Sequence, residues 1–182
     1  DLVAKAKATP GTFNYASPGA GTKSHLTGEQ LKLRAGIEMV HVPYVGGPAV
    51  MNALLAGDAG AAIDSVSQAL PHITSGGLKA LAVTGAERLA TLPDVPTFAE
   101  AGIAGMDDSW SAILAPAGTP RDTLARLHRD FARALEAPAL LARYAAIGIR
   151  AVASSPEELA RRIAEDSVKW QRIVKRAGIT PG

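Results

Sequence analysis

The chain has 182 residues, of which 47% are hydrophobic and 20% charged, with a formal net charge of +2. That balance supports a sizeable core in one domain or two small lobes and excludes a disordered chain. The cationic surplus is small and spread over helical stretches such as 121–133. With two Trp, three Tyr and three Phe there is no stacking platform for bases, so nucleic acid is not an expected partner.

The absence of cysteine removes disulfides and thiolate metal sites and leaves the compartment open. No apolar run approaches the ~20 residues of a membrane helix, so a membrane-embedded chain is not expected. The chain starts inside a helix-like stretch, 1–8, without initiator Met or signal peptide, and is expected to be a fragment.

Strand-like and helical segments then alternate, the pattern of a sheet covered by helices. Strands are expected at 12–16, 38–43, 59–64, 79–84 and 110–115, and helices at 22–34, 48–56 and 67–75. Gly36, Gly57 and Gly76-Gly77 follow these helices as stop signals. From 87 to 108 Pro and Gly punctuate a surface loop with room for one short helix at 97–101. This stretch is the expected boundary between 1–108 and 109–182. Thr119-Pro120 then sets an N-cap and a first-turn proline for a helix with Leu124, Leu127, Phe131 and Leu135 on one face. Ser155-Pro156-Glu157-Glu158 forms a capping box opening a last helix, with Leu159, Ile163, Trp170, Ile173 and Val174 along one side and its end at Gly178.

Chemistry concentrates at the strand ends. Tyr15-Ala16-Ser17-Pro18-Gly19-Ala20-Gly21-Thr22-Lys23-Ser24-His25 runs from a strand through a glycine turn into a helix start, where unpaired N–H groups favour an anion. A Walker A loop would need glycine at Ser17 and Thr22, and no Gly-x-Gly-x-x-Gly is present, so nucleotides are disfavoured. A tight turn capped by Thr22 explains the glycines alone. The hydroxyls of Ser17, Thr22 and Ser24 and the Lys23 amine favour a carboxylate site. His41-Val42-Pro43-Tyr44-Val45-Gly46-Gly47-Pro48 repeats the arrangement, with an internal hydrogen bond the expected role of His41 by itself. Asp64, before Ser65, ends the third strand either as a cap or as an acceptor for a ligand amine or hydroxyl. Two glycine loops and Asp64 would share the carboxyl edge of one sheet, where open α/β sheets bind ligands. No nucleophile elbow and no i, i+4 histidine pair occurs, and the paired acids fall at a helix start and in a loop. Neither an enzyme, a cofactor nor a metal site is expected.

These residues resemble the substrate-binding receptors of tripartite tricarboxylate transporters, the Bug-type extracytoplasmic solute receptors. The resemblance is carried by Asn14-Tyr15-Ala16-Ser17-Pro18-Gly19-Ala20-Gly21-Thr22 with His25, by His41-Val42-Pro43-Tyr44, and by Leu70-Pro71-His72-Ile73. Further on it rests on 78–84, on Leu92-Pro93-Asp94-Val95-Pro96-Thr97 with Glu100-Ala101-Gly102, and on Leu114-Ala115-Pro116-Ala117-Gly118-Thr119-Pro120. Together they follow the family's order over almost the whole chain.

The resemblance implies an α/β fold of the type II periplasmic-binding-protein class, a wound sheet with flanking helices whose two lobes close like a Venus flytrap. This chain would hold one complete lobe, 1–108, and the C-terminal part of the other, 109–182. The implied function is capture of a small carboxylate, a di- or tricarboxylate, acidic amino acid or aromatic acid, for delivery to membrane transporter subunits in the periplasm. Family members are longer at the N-terminus, where a signal peptide and a first-lobe glycine loop would lie. The ligand-binding candidates are Ser17, Gly19, Gly21, Thr22, Lys23, His25, Tyr44, Gly46, Asp64 and Ser65. Val45 stands where many relatives carry Lys, and Ala59-Gly60 where many carry Val-Asp, which bears on ligand identity. With part of a lobe outside the chain, the apolar faces through Phe131 and Trp170 would be partly uncovered and drive self-association. The alternative is the effector lobe of a transcriptional regulator of similar fold, which would carry a DNA-binding helix-turn-helix upstream.

Overall fold

A computed structural model describes residues 2–179. The expected first helix is α1, Leu2–Ala8; Asp1 lies outside the described residues. β1, Asn14–Ser17, and β2, Val40–Pro43, pair in parallel, with Tyr15 opposite His41 and Ser17 opposite Pro43. The other edge of β1 meets the third segment: Ala16 N–H donates to the Ala61 carbonyl at 2.9 Å and Ile63 N–H to the Ala16 carbonyl at 3.2 Å. β1 is thus the middle element, and three segments run side by side toward one carboxyl edge.

Period-two alternation sends β1 side chains into two cores. Phe13 and Tyr15 pack with Ala6, Leu31, Ile37 and Met39 beneath α1 and α2, Lys23–Ala35. Ala16 packs with Val50, Met51, Ala53 and Ala59 beneath α3, Gly47–Ala56. The Tyr15 ring reaches α2 because residue 28 is glycine: a Cβ there would lie 2.2 Å from Tyr15 Cε2. Thr22 caps α2, accepting from His25 N–H at 3.3 Å, and Gly36 closes it in the left-handed conformation.

Helices α4, Val66–Thr74, α5, Arg121–Leu135, and α7, Pro156–Ala177, follow the expected pattern, and the Ser155–Glu158 capping box forms in full. α6, Pro138–Ala146, was not foreseen, because its N-cap, Ala137, offers no side-chain acceptor as a start signal.

Other expectations are corrected. Segment 59–64 forms a single bridge, Ala16 with Ala62, and segment 79–84 another, Val83 with Thr97, so neither is a strand. Segment 110–115 is exposed, with Ile113 at 68% and Leu114 at 73%, and makes no ladder among the described residues. Apolar alternation marked these stretches as pairing-competent, but a strand needs a neighbour along its length. The short helix at 97–101 is one turn, stapled reciprocally by Thr97 and Glu100. Nor does Thr119 cap α5: its hydroxyl turns back to the Pro116 carbonyl at 2.8 Å, and Pro120 is the N-cap.

α7 returns to the first part of the chain. Ile173 is buried, Lys169 bridges Asp107 at 2.8 Å and Asp166 at 2.6 Å, and Trp110 Nε1–H donates to Asp166 at 2.7 Å. Gln30 of α2 receives the Asp107 N–H at 3.2 Å and donates to the Asp107 carboxylate.

Candidate functional site

The sheet edge gathers the two glycine loops. Tyr44 N–H donates to the Ser17 carbonyl at 2.9 Å, extending the β1–β2 ladder past its last pair, and Gly46 N–H donates to the Pro18 carbonyl at 3.1 Å. Gly46 holds φ at 81°, a left-handed conformation that turns the chain directly into α3. Beyond the second loop the third segment closes in: a Cβ on Gly47 would sit 3.3 Å from Asp64 Oδ2. Segments 17–25, 44–48 and 64–65 therefore adjoin, as the three strand ends predicted.

Within the first loop Ser17, Thr22 and His25 each have an identifiable structural task. The Ser17 hydroxyl is buried and hydrogen-bonded to His41 Nε2 at 2.7 Å, and Gly19 N–H donates to it at 3.3 Å. Thr22 Oγ1 donates to the Gly19 carbonyl at 2.7 Å and accepts the cap bond, fixing the turn from both ends. Gly21 N–H donates to His25 Nδ1 at 3.0 Å. That bond makes the Nε2–H form of His25 the one compatible with the geometry. Ser17 and His25 thus shape the loop from beneath rather than lining an open surface. The amides of Lys23 and Ser24 on α2, and of Gly47 and Ala49 on α3, have no acceptor among the described residues. They are the donors left for an anion at the edge.

Lys23 is placed differently from the hydroxyls. Its Nζ is buried, has no hydrogen-bond partner, and stands 3.9 Å from the centroid of the Trp170 ring of α7. Burial pulls this amine down from 10.5 to about 8, with Asp107 working against the shift. Asp64 is not the cap of α4. Its Oδ1 accepts from Ser65 N–H at 2.7 Å, while the N-cap is Ser65, whose side chain makes no cap bond. Asp64 Oδ2 is buried without a partner, and burial raises this carboxyl. Tyr44 is half-buried against the α3 core, and Val45 is almost fully exposed.

His41 meets its expected internal hydrogen bond and does more. Its ring stacks on that of His25, centroids 3.7 Å apart and planes within 9°, with the Tyr15 ring 5.1 Å away. Parallel register puts His41 beside Tyr15, and one turn of helix puts His25 above both; single segments carry no signal of this. Tyr15 in turn donates to Glu29 at 2.9 Å, and Glu29 pairs with Lys32 at 2.9 Å. Burial pushes the His41 imidazole down to about 4, with His25 adding to the shift, and burial lowers His25 as well.

A groove of about 2740 Å³ begins at Lys23, Ser24, Asp64 and Ser65 of the strand-end loops and runs on past the 79–84 and 110–115 segments to α5, where side chains such as Ile113, Leu114 and Phe131 wall it. That volume exceeds the few hundred Å³ that small-molecule sites occupy, and its apolar walls suit a polypeptide face. The strand-end loops are the better candidate for a small acid. Among the described residues no cluster of His, Asp and Glu suits a metal ion, and no helix is long and apolar enough to cross a membrane.

Comparison with known proteins identifies the chain's relatives. Residues 1–179 match the family described as the tripartite tricarboxylate transporter family receptor. BugT of Bordetella pertussis is 36% identical over 179 residues, which are 97% of this chain and 55% of BugT. An R. palustris protein solved with adipate superposes with a TM-score of 0.88 at 31% identity, covering 100% of this chain and 61% of that one. MatC from Rhodopseudomonas palustris, solved with bound malate, gives 0.80 at 28% identity over 95% of this chain and 60% of MatC. The chain spans about half the length of the curated relatives it matches. Its fold is the α/β fold of the periplasmic solute-binding proteins.

Proposed function

Because this chain belongs to the tripartite tricarboxylate transporter receptor family, we propose that it is part of a non-enzymatic, extracytoplasmic receptor that captures a small carboxylate and presents it to transporter subunits in the periplasm. The observation that carries this reading is the convergence of two glycine loops and two helix starts on one sheet edge, with the amides of Lys23, Ser24, Gly47 and Ala49 left without internal acceptors. Each charge-assisted hydrogen bond to a carboxylate contributes roughly 1 to 3 kcal/mol. Adipate and malate in the two solved neighbours support a carboxylate as the ligand class.

In this reading residues 1–108 form one ligand-binding lobe and 109–182 belong structurally to the other, with α7 joining them through Trp170. The ligand-facing set is Gly19, Gly21, Thr22, Tyr44 and Gly46 with the open helix amides; Ser17 and His25 support it from below, and Asp64 and Ser65 border it. Lys23 tethers the site to α7. Calorimetric titration with succinate, malate, adipate, acidic amino acids and nicotinate tests the reading. Heat with at least one of them is expected, and silence with all of them refutes it.

A further inference from the structure

The stacked pair of His25 and His41 joins the first loop to the second strand. His25 rides on the first turn of α2 and His41 on β2; the groups facing them are Tyr15 and Ser17 of β1, and Glu29 and Lys32 from later turns of α2. Gly21 N–H needs the lone pair of His25 Nδ1, because a proton there would set two donors against each other. His41 Nε2 holds the hydroxyl of Ser17, which also receives Gly19 N–H. Both glycines of the loop are therefore fastened, directly or through one hydroxyl, to this pair of rings.

We propose that the neutral His25–His41 stack is what fastens Gly21 in the first glycine loop, beside the Thr22 hydroxyl that holds Gly19, and that protonating the pair releases Gly21. Protonation of His25 removes the acceptor of Gly21, and protonation of both rings sets two cations face to face at 3.7 Å. Of the facing charges, Glu29 favours the protonated rings and Lys32 opposes them, and Glu29 is already engaged by Tyr15 and Lys32. Rings in such contact take up their protons in two macroscopic steps that belong to the pair. His41 thereby becomes a positioning residue for the loop. The fastening is a property of the ligand-free protein; only its consequence, loss of ligand on acidification, rests on the receptor reading.

The test is nitrogen-15 NMR of the full 182-residue chain without ligand, from about pH 7.5 to about pH 3.5, following both imidazoles and the Gly21 amide. At neutral pH, His25 should be in the Nε2–H form. The rings should then titrate in two steps below the ordinary histidine range, Gly21 shifting with the His25 step, and Gly21 exchange should rise at least about tenfold relative to Ala16. A Nδ1–H form of His25 at neutral pH, or ordinary titration of His25 with Gly21 unmoved, overturns the proposal. His25→Phe keeps a flat ring without the first charge and should move the His41 transition to higher pH; an unchanged midpoint overturns the pairing. The wild-type titration decides the matter even where that variant does not fold. Adding succinate separates the two readings: absence of binding at every pH counts against the receptor, while the ligand-free spectra decide the fastening.

Discussion

The Nζ of Lys23 stands 3.9 Å from the centroid of the Trp170 ring, so the first residue of the helix after the glycine loop is tied to the C-terminal helix. The amine is buried and without a hydrogen-bond partner, and its folded value is about 8 against 10.5. Between those values the unfolded chain holds a proton that the native state has released, so stability rises with pH across that window. Lys23→Met should abolish this rise and be at least as stable as wild type near pH 7, read by urea midpoints. An undiminished rise contradicts it. The same variant tests ligand contact: affinity for a carboxylate should change less than about threefold, whereas a loss above tenfold puts Lys23 on the ligand.

For the histidines the direction is the same but the window lies lower. Both fold with depressed values, His41 at about 4. As pH falls through 6.5 the unfolded chain takes up protons that the native rings refuse. Native stability should therefore decline from about pH 7 toward pH 4, by about 1 to 3 kcal/mol. Chemical denaturation of wild type and His41→Phe side by side checks this, the variant showing the shallower decline. Parallel declines would remove His41 as a source.

Thr22 performs two tasks with one hydroxyl, capping α2 and holding the Gly19 carbonyl. Thr22→Ala should cost about 1 kcal/mol of stability. Thr22→Ser keeps the oxygen and should recover most of both stability and carboxylate affinity. If alanine and serine behave alike in the urea and calorimetric titrations, the hydroxyl is not what shapes the loop.

The apolar faces make a separate prediction. Phe131 is 43% exposed and Leu114 73%, along the groove beside α5. Exposed surface of this kind drives association. Light scattering of the 182-residue chain should show mass increasing with concentration, and Phe131→Asp should suppress the increase. A strict monomer at high concentration contradicts it.

Much of this molecule was legible in its residues, for physical reasons. Caps and stops are local, so Thr22, the Ser155–Glu158 box, Gly36 and Gly178 located helix ends well. Two parallel strand ends with glycine loops predicted a shared edge, and Tyr44 and Gly46 do bond across to Ser17 and Pro18. Pairing is not local. Alternation at 79–84 and 110–115 could not tell whether a neighbouring strand lies alongside, and those segments remain a single bridge and an exposed stretch. Side-chain destination is not local either. Lys23 follows the hydroxyls in sequence, and only the return of α7 places Trp170 beside its amine.

Amide-resolved NMR titration of the full chain with succinate or adipate decides whether a small carboxylate sits on the open amides at the sheet edge. Concentration-dependent shifts are expected in residues 19–24 and 46–49, with the Phe131 end of the groove unmoved. Absence of shifts at saturating millimolar ligand, or shifts confined to the groove around Phe131, would contradict that placement.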